Sequence, residues 1–521
     1  MAKTRVLLVY PEIPETYWSM KRAIRIIGKK ALMPPLGLLT VAAFMPEEDF
    51  ELRLVDMNIE RLLDADLIQA DLVMLSAMLV QKASFHEVLA RCLRLGVPVA
   101  AGGPYPTACR GEMEGVDFLF FGEGERTLPA FVEDWRHGLR TPRIYEERER
   151  PSLDEAPVPR FDLAKVRDYS MMPVQFSRGC PFACEFCDIT SLFGRAARTK
   201  SPERFLKELD AIRAAGKADN VFVVDDNFIG DRRRTRTLLD ALIPWQREKA
   251  FPFTMSTETS VDLAADEGLM DLMVAANFRM VFVGLETPHA ASLASTGKRQ
   301  NLRRDPVEAV KVMQGKGLQV TGGFIVGFDT DPPDICSLQA DFVKRLAVPV
   351  AMVGVLTALP GTELCRRLER EGRLLARSSG NNTHDVTFNF RTLLPVQELL
   401  AGYHRLIEEI YRPRVYFDRC VAYLRRLPRG KIEKVGTHSA LRPVNLLYLL
   451  RSFALQAFSS YGFEYLRYLA RGLLANPRQI YEVVTLAVQG RHFFSITQKT
   501  LARFRARMPE PQANMAALPA G

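Results

Sequence analysis

The stretch Gln175-Phe-Ser-Arg-Gly-Cys180-Pro-Phe-Ala-Cys184-Glu-Phe-Cys187 decides how the chain is read. Its cysteines are spaced Cys-x3-Cys-x2-Cys behind a short apolar run, and an aromatic residue, Phe186, stands just before the third. Three thiolates on one tight loop can hold three irons of a cubane iron–sulfur cluster. The fourth iron then stays open, as catalytic metal sites keep a position free for substrate. A zinc knuckle would want a fourth Cys or His nearby, and the next downstream histidine is His289. Ligand count therefore favours a cluster over zinc, with Cys180, Cys184 and Cys187 as metal ligands and catalytic residues.

Working outward, 521 residues imply two to four domains with sizeable cores. A hydrophobic content of 47% with 25% charged residues is ordinary for a soluble globular protein. Cys92, Cys109, Cys336, Cys365 and Cys420 are scattered singly and read as buried or idle thiols. An oxygen-sensitive cluster makes a reducing cytoplasm the natural compartment. The opening Met-Ala-Lys-Thr-Arg-Val runs into a strand pattern with no signal-peptide features, and no stretch reaches eighteen apolar residues. The net charge of +9 is uneven: Tyr411 to Gly521 holds 18 Lys and Arg against 5 Asp and Glu, leaving the rest at −4.

Short apolar runs alternate with helical patterns over residues 1–137. Strands are expected at Arg5–Tyr10, Glu51–Val55, Asp71–Leu75, Val97–Ala101 and Asp117–Phe121, which makes βαβ units and a doubly wound parallel sheet. Ligands bind such sheets beyond the carboxyl ends of the strands, where this chain has Asp56, Asn58, Ser76, Gly102, Gly103 and Gly122-Glu-Gly124. The glycines either admit a bulky ligand or only turn the chain. Residues 138–170 are rich in proline and charge and read as a linker. Over 171–389 the βα rhythm resumes, with strands expected at Val174–Phe176, Val221–Val224, Phe253–Ser256, Met280–Val283, Val320–Val326 and Ala351–Leu356. Six repeats suggest a partial (β/α)6 barrel reacting at its strand ends. Residues 390–521 form a basic, mainly helical region.

Beyond the cysteines, residues at several strand ends resemble the radical S-adenosylmethionine (SAM) enzymes. Asp225 and Asp226 stand where the wider superfamily often has Gly-Gly-Glu to receive the SAM amino group, and a carboxylate accepting from an ammonium has the same logic. The resemblance implies ribose or methionyl binding by Glu258, a further strand-end role for Glu286, and an apolar strand with Gly323 and Gly327 lining the adenine. Phe186 belongs to the same cofactor set. The sheet ahead of this core looks like a flavodoxin-like, cobalamin-binding domain, and the whole resembles the branch containing the hopanoid methylases. Many cobalamin domains offer a cobalt ligand in Asp-x-His-x-x-Gly. Here the stretch is Asp56-Met-Asn58-Ile-Glu-Arg61, and an amide is a poor cobalt ligand. Cobalamin is thus expected without a motif histidine, the alternative being a degenerate domain; His86 reads as a surface or core residue.

These resemblances imply an anaerobic enzyme with a 4Fe–4S cluster, SAM and cobalamin that methylates an unactivated carbon of an apolar, hopanoid- or isoprenoid-like lipid. The expected electron donor is a flavodoxin or ferredoxin. The runner-up is ring formation or rearrangement of a lipid, a tetrapyrrole or another natural product without net methyl transfer. A tRNA- or peptide-modifying enzyme would bring a recognition module, and none is seen; intact cysteines argue against a cobalamin sensor. Dispersed cations among Leu, Tyr and Phe in 446–474 fit either helices at an anionic membrane surface or a solvated helical cap. Nucleic acid is not expected as a partner.

Overall fold

The computed structural model describes residues 3–383, 387–429 and 443–507. Near-continuous apolar runs, the mark of strands covered on both faces, form a six-stranded sheet. Its strands are β1 (Thr4–Tyr10), β2 (Phe50–Asp56), β3 (Leu72–Ser76), β4 (Val99–Gly102), β5 (Phe118–Phe121) and β6 (Arg143–Glu146). The order is β2-β1-β3-β4-β5-β6 with every pair parallel. The order reverses between β1 and β3, which places the ligand crevice beyond Tyr10, Asp56 and Ser76.

β6 lies inside the stretch expected to be a linker. It pairs with β5 from Phe118↔Arg143 to Phe121↔Glu146. As an edge strand it buries only Tyr145, so its residues carry no apolar run that the sequence could reveal. Leu153, Phe161, Val166 and Tyr169 beyond it are also buried.

The second sheet holds β7 (Met172–Val174), β10 (Asn220–Val223), β11 (Thr254–Thr259), β12 (Phe278–Glu286), β13 (Gln319–Val326) and β14 (Ala351–Val355). The order β14-β13-β12-β11-β10-β7 is sequential and parallel, and β7 and β14 both remain edges, so the barrel is open. Between β7 and β10 an antiparallel ribbon pairs β8 (Ser177–Arg178) with β9 (Arg198–Thr199). The first barrel strand begins earlier than expected and ends at Val174, because Phe176 turns its N–H to Asp225 instead. Ser201, Asp231, Asp266, Asp305 and Thr362 cap the N-termini of successive barrel helices with their side chains.

Helices Val396–Ile410, Pro413–Arg426, Pro443–Gln456, Gly462–Ala475 and Ile480–Arg507 complete the described chain. Arg426 donates to Leu346 O at 2.7 Å and Arg419 to Val348 O at 3.1 Å. Helix Pro413–Arg426 therefore covers the barrel end at which strands begin. Ile480–Arg507 turns back to the first sheet's unit, where Tyr17 stacks on Phe493 and its hydroxyl meets Thr497 at 2.9 Å. Among the described residues no helix is long and apolar enough to cross a membrane.

Candidate functional site

A cavity of about 2200 Å³ lies where the three regions meet. The first sheet contributes Tyr10, Asn58, Ser76, Gly102 and Gly103, and the loop after β5 contributes Gly122, Glu123, Gly124 and Glu125. The barrel contributes Val224, Asp226, Glu258, Phe282 and Met352 along its interior, and Asn220, Thr254 and Arg279 where its strands begin. The C-terminal helices add Tyr423, Leu449, Glu482 and Val488. Single small-ligand pockets span roughly 300–1,000 Å³, so this space has room for several ligands together.

Cys180, Cys184 and Cys187 share the loop that leaves the β8–β9 ribbon, at the rim of the cavity. Their neighbours Arg178, Leu192 and Phe193 line it, while the thiols stand behind them. Gly179 has a φ of +95°, and a Cβ there would lie 2.6 Å from Ala196 O, so only glycine fits this turn. Gln300 Nε2 lies 3.8 Å from the buried Cys184 sulfur. Burial pushes the Cys187 thiol up to about 12 and raises Cys180. Buried thiols that electrostatically feel one another become thiolates only beside strong positive charge, which metal ions supply. The donor set thus fits an iron–sulfur group. Among the described residues no three His, Cys, Asp or Glu side chains close around a single metal ion.

The paired aspartates divide their work. Asp225 is 1% exposed and accepts from Phe176 N and Ser177 N, both at 2.8 Å, and from Ser177 Oγ at 2.6 Å. It pins the root of the cysteine loop and does not face the cavity; burial pushes its carboxyl up to about 7. Asp226 takes one bond from Gly179 N at 3.1 Å and faces the cavity, its carboxyl raised by burial to about 6. Glu258 also faces the cavity, and while its backbone carbonyl accepts from Phe228 N, its carboxyl makes no hydrogen bond to any described residue. Burial, then the charges of Asp226 and Asp225, push it up to about 8. It keeps some exposed surface although it is deep inside, because that surface opens on the cavity. Cavity-facing carboxyls with no ion-pair partner among the described residues fit a ligand that brings an ammonium, as SAM does.

Glu286 sits at a register shift between β12 and β13 with a φ of +59°, unusual for a non-glycine residue. It pairs with Lys298 at 2.7 Å, away from the cavity. Burial opposes the Lys298 ammonium, but Glu286 and the Cys184 and Cys187 thiols outweigh it and hold it above its ordinary value. Phe186 packs on Phe328 at 5.8 Å in a small apolar cluster and braces the loop from behind. A Cβ on Gly323 would lie 2.6 Å from the Phe282 ring, so this glycine clears space for an aromatic that lines the cavity. Gly327, with φ +104°, gives its N–H to Asp331. Of the residues expected to touch cofactor in the barrel, Asp226 and Glu258 face the cavity; Phe186, Asp225, Glu286, Gly323 and Gly327 support those that do.

On the first sheet, Asp56 is buried and accepts from Asn58 N at 2.8 Å and Tyr169 Oη at 2.8 Å. The Asn58 amide donates to Asp56 Oδ1 and accepts from Ile13 N at 2.8 Å, so its polar atoms are committed to its own loop and to the segment after β1. His86 bonds the Tyr105 hydroxyl at 2.6 Å and does not line the cavity. A Cβ on Gly103 (φ +98°) would lie 2.6 Å from Ser76 Oγ, leaving bare backbone at the crevice mouth. A glycine-lined crevice at the switch point fits a large planar ligand.

Sequence reasoning gave Arg178 and Glu125 no role and had Glu123 only within the strand-end run Gly122-Glu-Gly124. Arg178 meets Glu125 at 3.0 Å and also Glu123, which Arg198 holds from the other side. One signal was available: Arg178 precedes the glycine of the cysteine motif, and both glutamates flank Gly124 at a strand end. Glu482 and Arg279 carried no such signal.

Residues 26–132 match the B12 binding domain, 174–335 the radical SAM superfamily and 362–506 a domain of unknown function (DUF4070). Fold and site define a radical SAM protein with a cobalamin-binding domain ahead of its barrel. The chain is 43% identical over 417 residues to an uncharacterized methyltransferase of Synechocystis sp., covering 80% of this chain and 77% of the relative. It is 32% identical over 419 residues to the hopanoid C-2 methylase of Rhodopseudomonas palustris, covering 80% and 78%. It therefore belongs to the cobalamin-binding radical SAM methyltransferases. The same fold occurs in a radical SAM methyltransferase from Kitasatospora setae solved with cobalamin and a 4Fe–4S cluster bound. There the TM-score is 0.61 at 15% identity, covering 91% of this chain and 99% of that one.

Proposed function

We propose that the protein methylates an unactivated carbon of an apolar, hopanoid- or isoprenoid-like lipid. The carrying observation is the single cavity that joins the glycine-lined crevice of the first sheet to Asp226 and Glu258 and continues along apolar walls to the C-terminal helices. Similarity to the hopanoid C-2 methylase supports the lipid class. Cys180, Cys184 and Cys187 would hold the 4Fe–4S cluster, Asp226 and Glu258 the methionyl and ribose end of SAM, and the crevice around Ser76, Gly102 and Gly103 the corrin. When bound, these groups supply reductive SAM cleavage, hydrogen abstraction and a transferable methyl group.

The chain's own part is placement. Asp225 fixes the cysteine loop, Arg178 ties that loop to the crevice, and Glu258 accepts the ligand's donors once its proton has left. Phe282 and Met352 keep the space between the cofactors dry, which protects a reactive intermediate from water. A flavodoxin or ferredoxin is the proposed electron donor, and the basic C-terminal helices are the proposed contact with anionic lipid.

The test is anaerobic reconstitution followed by incubation with SAM, cobalamin, a reduced flavodoxin or dithionite as electron source, and a lipid extract of the source cells. A methyl-shifted lipid by mass spectrometry is expected, and Cys184→Ala should abolish both it and SAM cleavage. SAM cleavage at the parent rate in that variant would sink the cluster assignment. A rearranged product without added methyl would instead favour ring chemistry.

A further inference from the structure

Helix Pro443–Gln456 is built inside out. Ser452 and Gln456 are fully buried, bonded to each other at 2.9 Å, while Ser452 Oγ meets the Tyr465 hydroxyl at 3.2 Å. Four of its described apolar side chains are exposed instead: Leu447 43%, Leu450 58%, Phe453 42% and Leu455 43%. The turn and the following helix Gly462–Ala475 continue this face, with Phe458 87%, Phe463 77% and Leu474 84% exposed. Between Leu447 and Leu474 nine large apolar side chains are exposed. Single exposed apolar residues need no explanation, but a contiguous face of them does. Polar groups paired inside and apolar groups turned outward suit a helix whose outer surroundings are themselves apolar.

We propose that residues 447–474 dock on an anionic lipid bilayer, with Phe458 and Phe463 entering the boundary between headgroups and acyl chains. The same face would be where a lipid substrate leaves the bilayer for the cavity. This rests on the lipid-substrate reading above. Charge selects the occupant. Residues 443–507 hold nine Lys and Arg against two acids. Of those acids, Glu464 is paired with Arg467 and Glu482 faces the cavity. Arg471, Lys499 and Arg505 meet Asp418, Glu15 and Glu408 outside the segment, while Arg451, Arg478 and Arg491 donate to backbone carbonyls and keep their charge. An apolar face set in such a cationic surround is attracted to anionic lipid and repelled by a second copy of itself. The helices lie on the bilayer, since none among the described residues can cross it. The cavity and the exposed face also share one helix: Leu449 lines the cavity, and Leu450 beside it is exposed. Ala23, Ile24, Val484 and Val488 make the adjoining cavity wall apolar.

The experiment is co-sedimentation of the reconstituted full chain with phosphatidylcholine–phosphatidylglycerol vesicles, comparing the parent with the Phe458→Ser/Phe463→Ser double variant. Leu139→Ser, at an exposed leucine on another face, is the control. The double variant should lose vesicle partitioning on the order of a hundredfold, and the control should match the parent. Methylation of detergent-dispersed lipid should survive in the double variant and fall only with vesicle-held lipid. Partitioning that survives the double substitution overturns the docking. So does a dimer in vesicle-free solution that the same substitution turns into monomers, for a second copy would then cover the face. If the parent partitions but methylates no lipid in either form, docking stands and the lipid-substrate reading falls.

Discussion

Arg178, two residues before the first cysteine of the motif, is ion-paired to Glu123 at the end of a strand in the other sheet. Glu125 meets the same guanidinium at 3.0 Å, and Arg198, the β9 partner of Arg178, grips Glu123 as well. All four side chains are nearly enclosed, Glu123 and Glu125 being 6% exposed. The cysteine loop is thereby fastened to the sheet whose crevice would carry the second cofactor, which fixes their relative placement.

Removing one member of that joint should be costly, because it strands buried charge. Arg178→Ala is expected to lower stability by about 3 kcal/mol in urea unfolding of the full chain. Arg178→Ala combined with Glu125→Ala should lose less than the sum of the two single variants. Strict additivity in this cycle would show that the joint is not coupled.

Asp225 and Asp226 should fail in different ways. Asp225→Asn turns an N–H donor toward backbone N–H groups that now find an acceptor. That should cost about 2 kcal/mol of stability and lower iron uptake on reconstitution. Asp226→Asn should leave iron content and stability near the parent while weakening SAM. Equal iron loss in both variants would contradict this division.

Glu258 should make SAM binding release a proton. With its carboxyl pushed up to about 8 by burial, it is mostly protonated at pH 7 until an ammonium or hydroxyl donor arrives. Calorimetry of SAM binding in buffers of different ionisation heats should report release of about one proton at pH 7, absent in Glu258→Gln. No difference between the two would remove Glu258 from the SAM site.

Cobalamin bound to this chain should show a base-off spectrum, because the Asn58 amide is spent holding its own loop to the segment after β1 and the histidines among the described residues lie off the cavity. Asn58→Ala should loosen that loop and leave the spectrum unchanged. A spectrum of histidine-ligated cobalt in the parent would overturn the assignment.

How far the sequence could be read follows from where each side chain acts. Cys180, Cys184 and Cys187 were legible because their chemistry depends on spacing along one loop. The two sheets were legible because strands buried on both faces read as apolar runs, whereas β6, buried only at Tyr145, did not. Adjacent Asp225 and Asp226 are indistinguishable in sequence, and only the turn geometry sends one to the backbone and the other to the cavity. Arg178 with Glu123 is a pairing across 55 residues, which no local pattern encodes. Nothing local marks Ser452 and Gln456 as buried, and their enclosure follows from the Tyr465 hydroxyl of the next helix.

Glu482 supplies a test at the end of the cavity where the barrel strands begin. Its carboxyl faces the Tyr423 hydroxyl, its Oε1 is buried without a partner, and burial pushes it up to about 7 from an ordinary 4.5. The folded chain therefore keeps a proton that the unfolded chain has already lost. The stability tied to this group is full below pH 4.5 and falls away as pH rises toward 7. Glu482→Gln carries no charge to desolvate, so the variant should match the parent near pH 4 and exceed it by about 1–2 kcal/mol at pH 8. Urea unfolding of the cofactor-free chain at both pH values checks this, and a constant difference across pH would show that the carboxyl is solvated. If the polar end of the cavity reads a hydroxyl or amine on the lipid, the same variant should raise KM for a substrate bearing that group. It should leave KM unchanged for the plain hydrocarbon, because only the former offers a donor to this buried carboxyl.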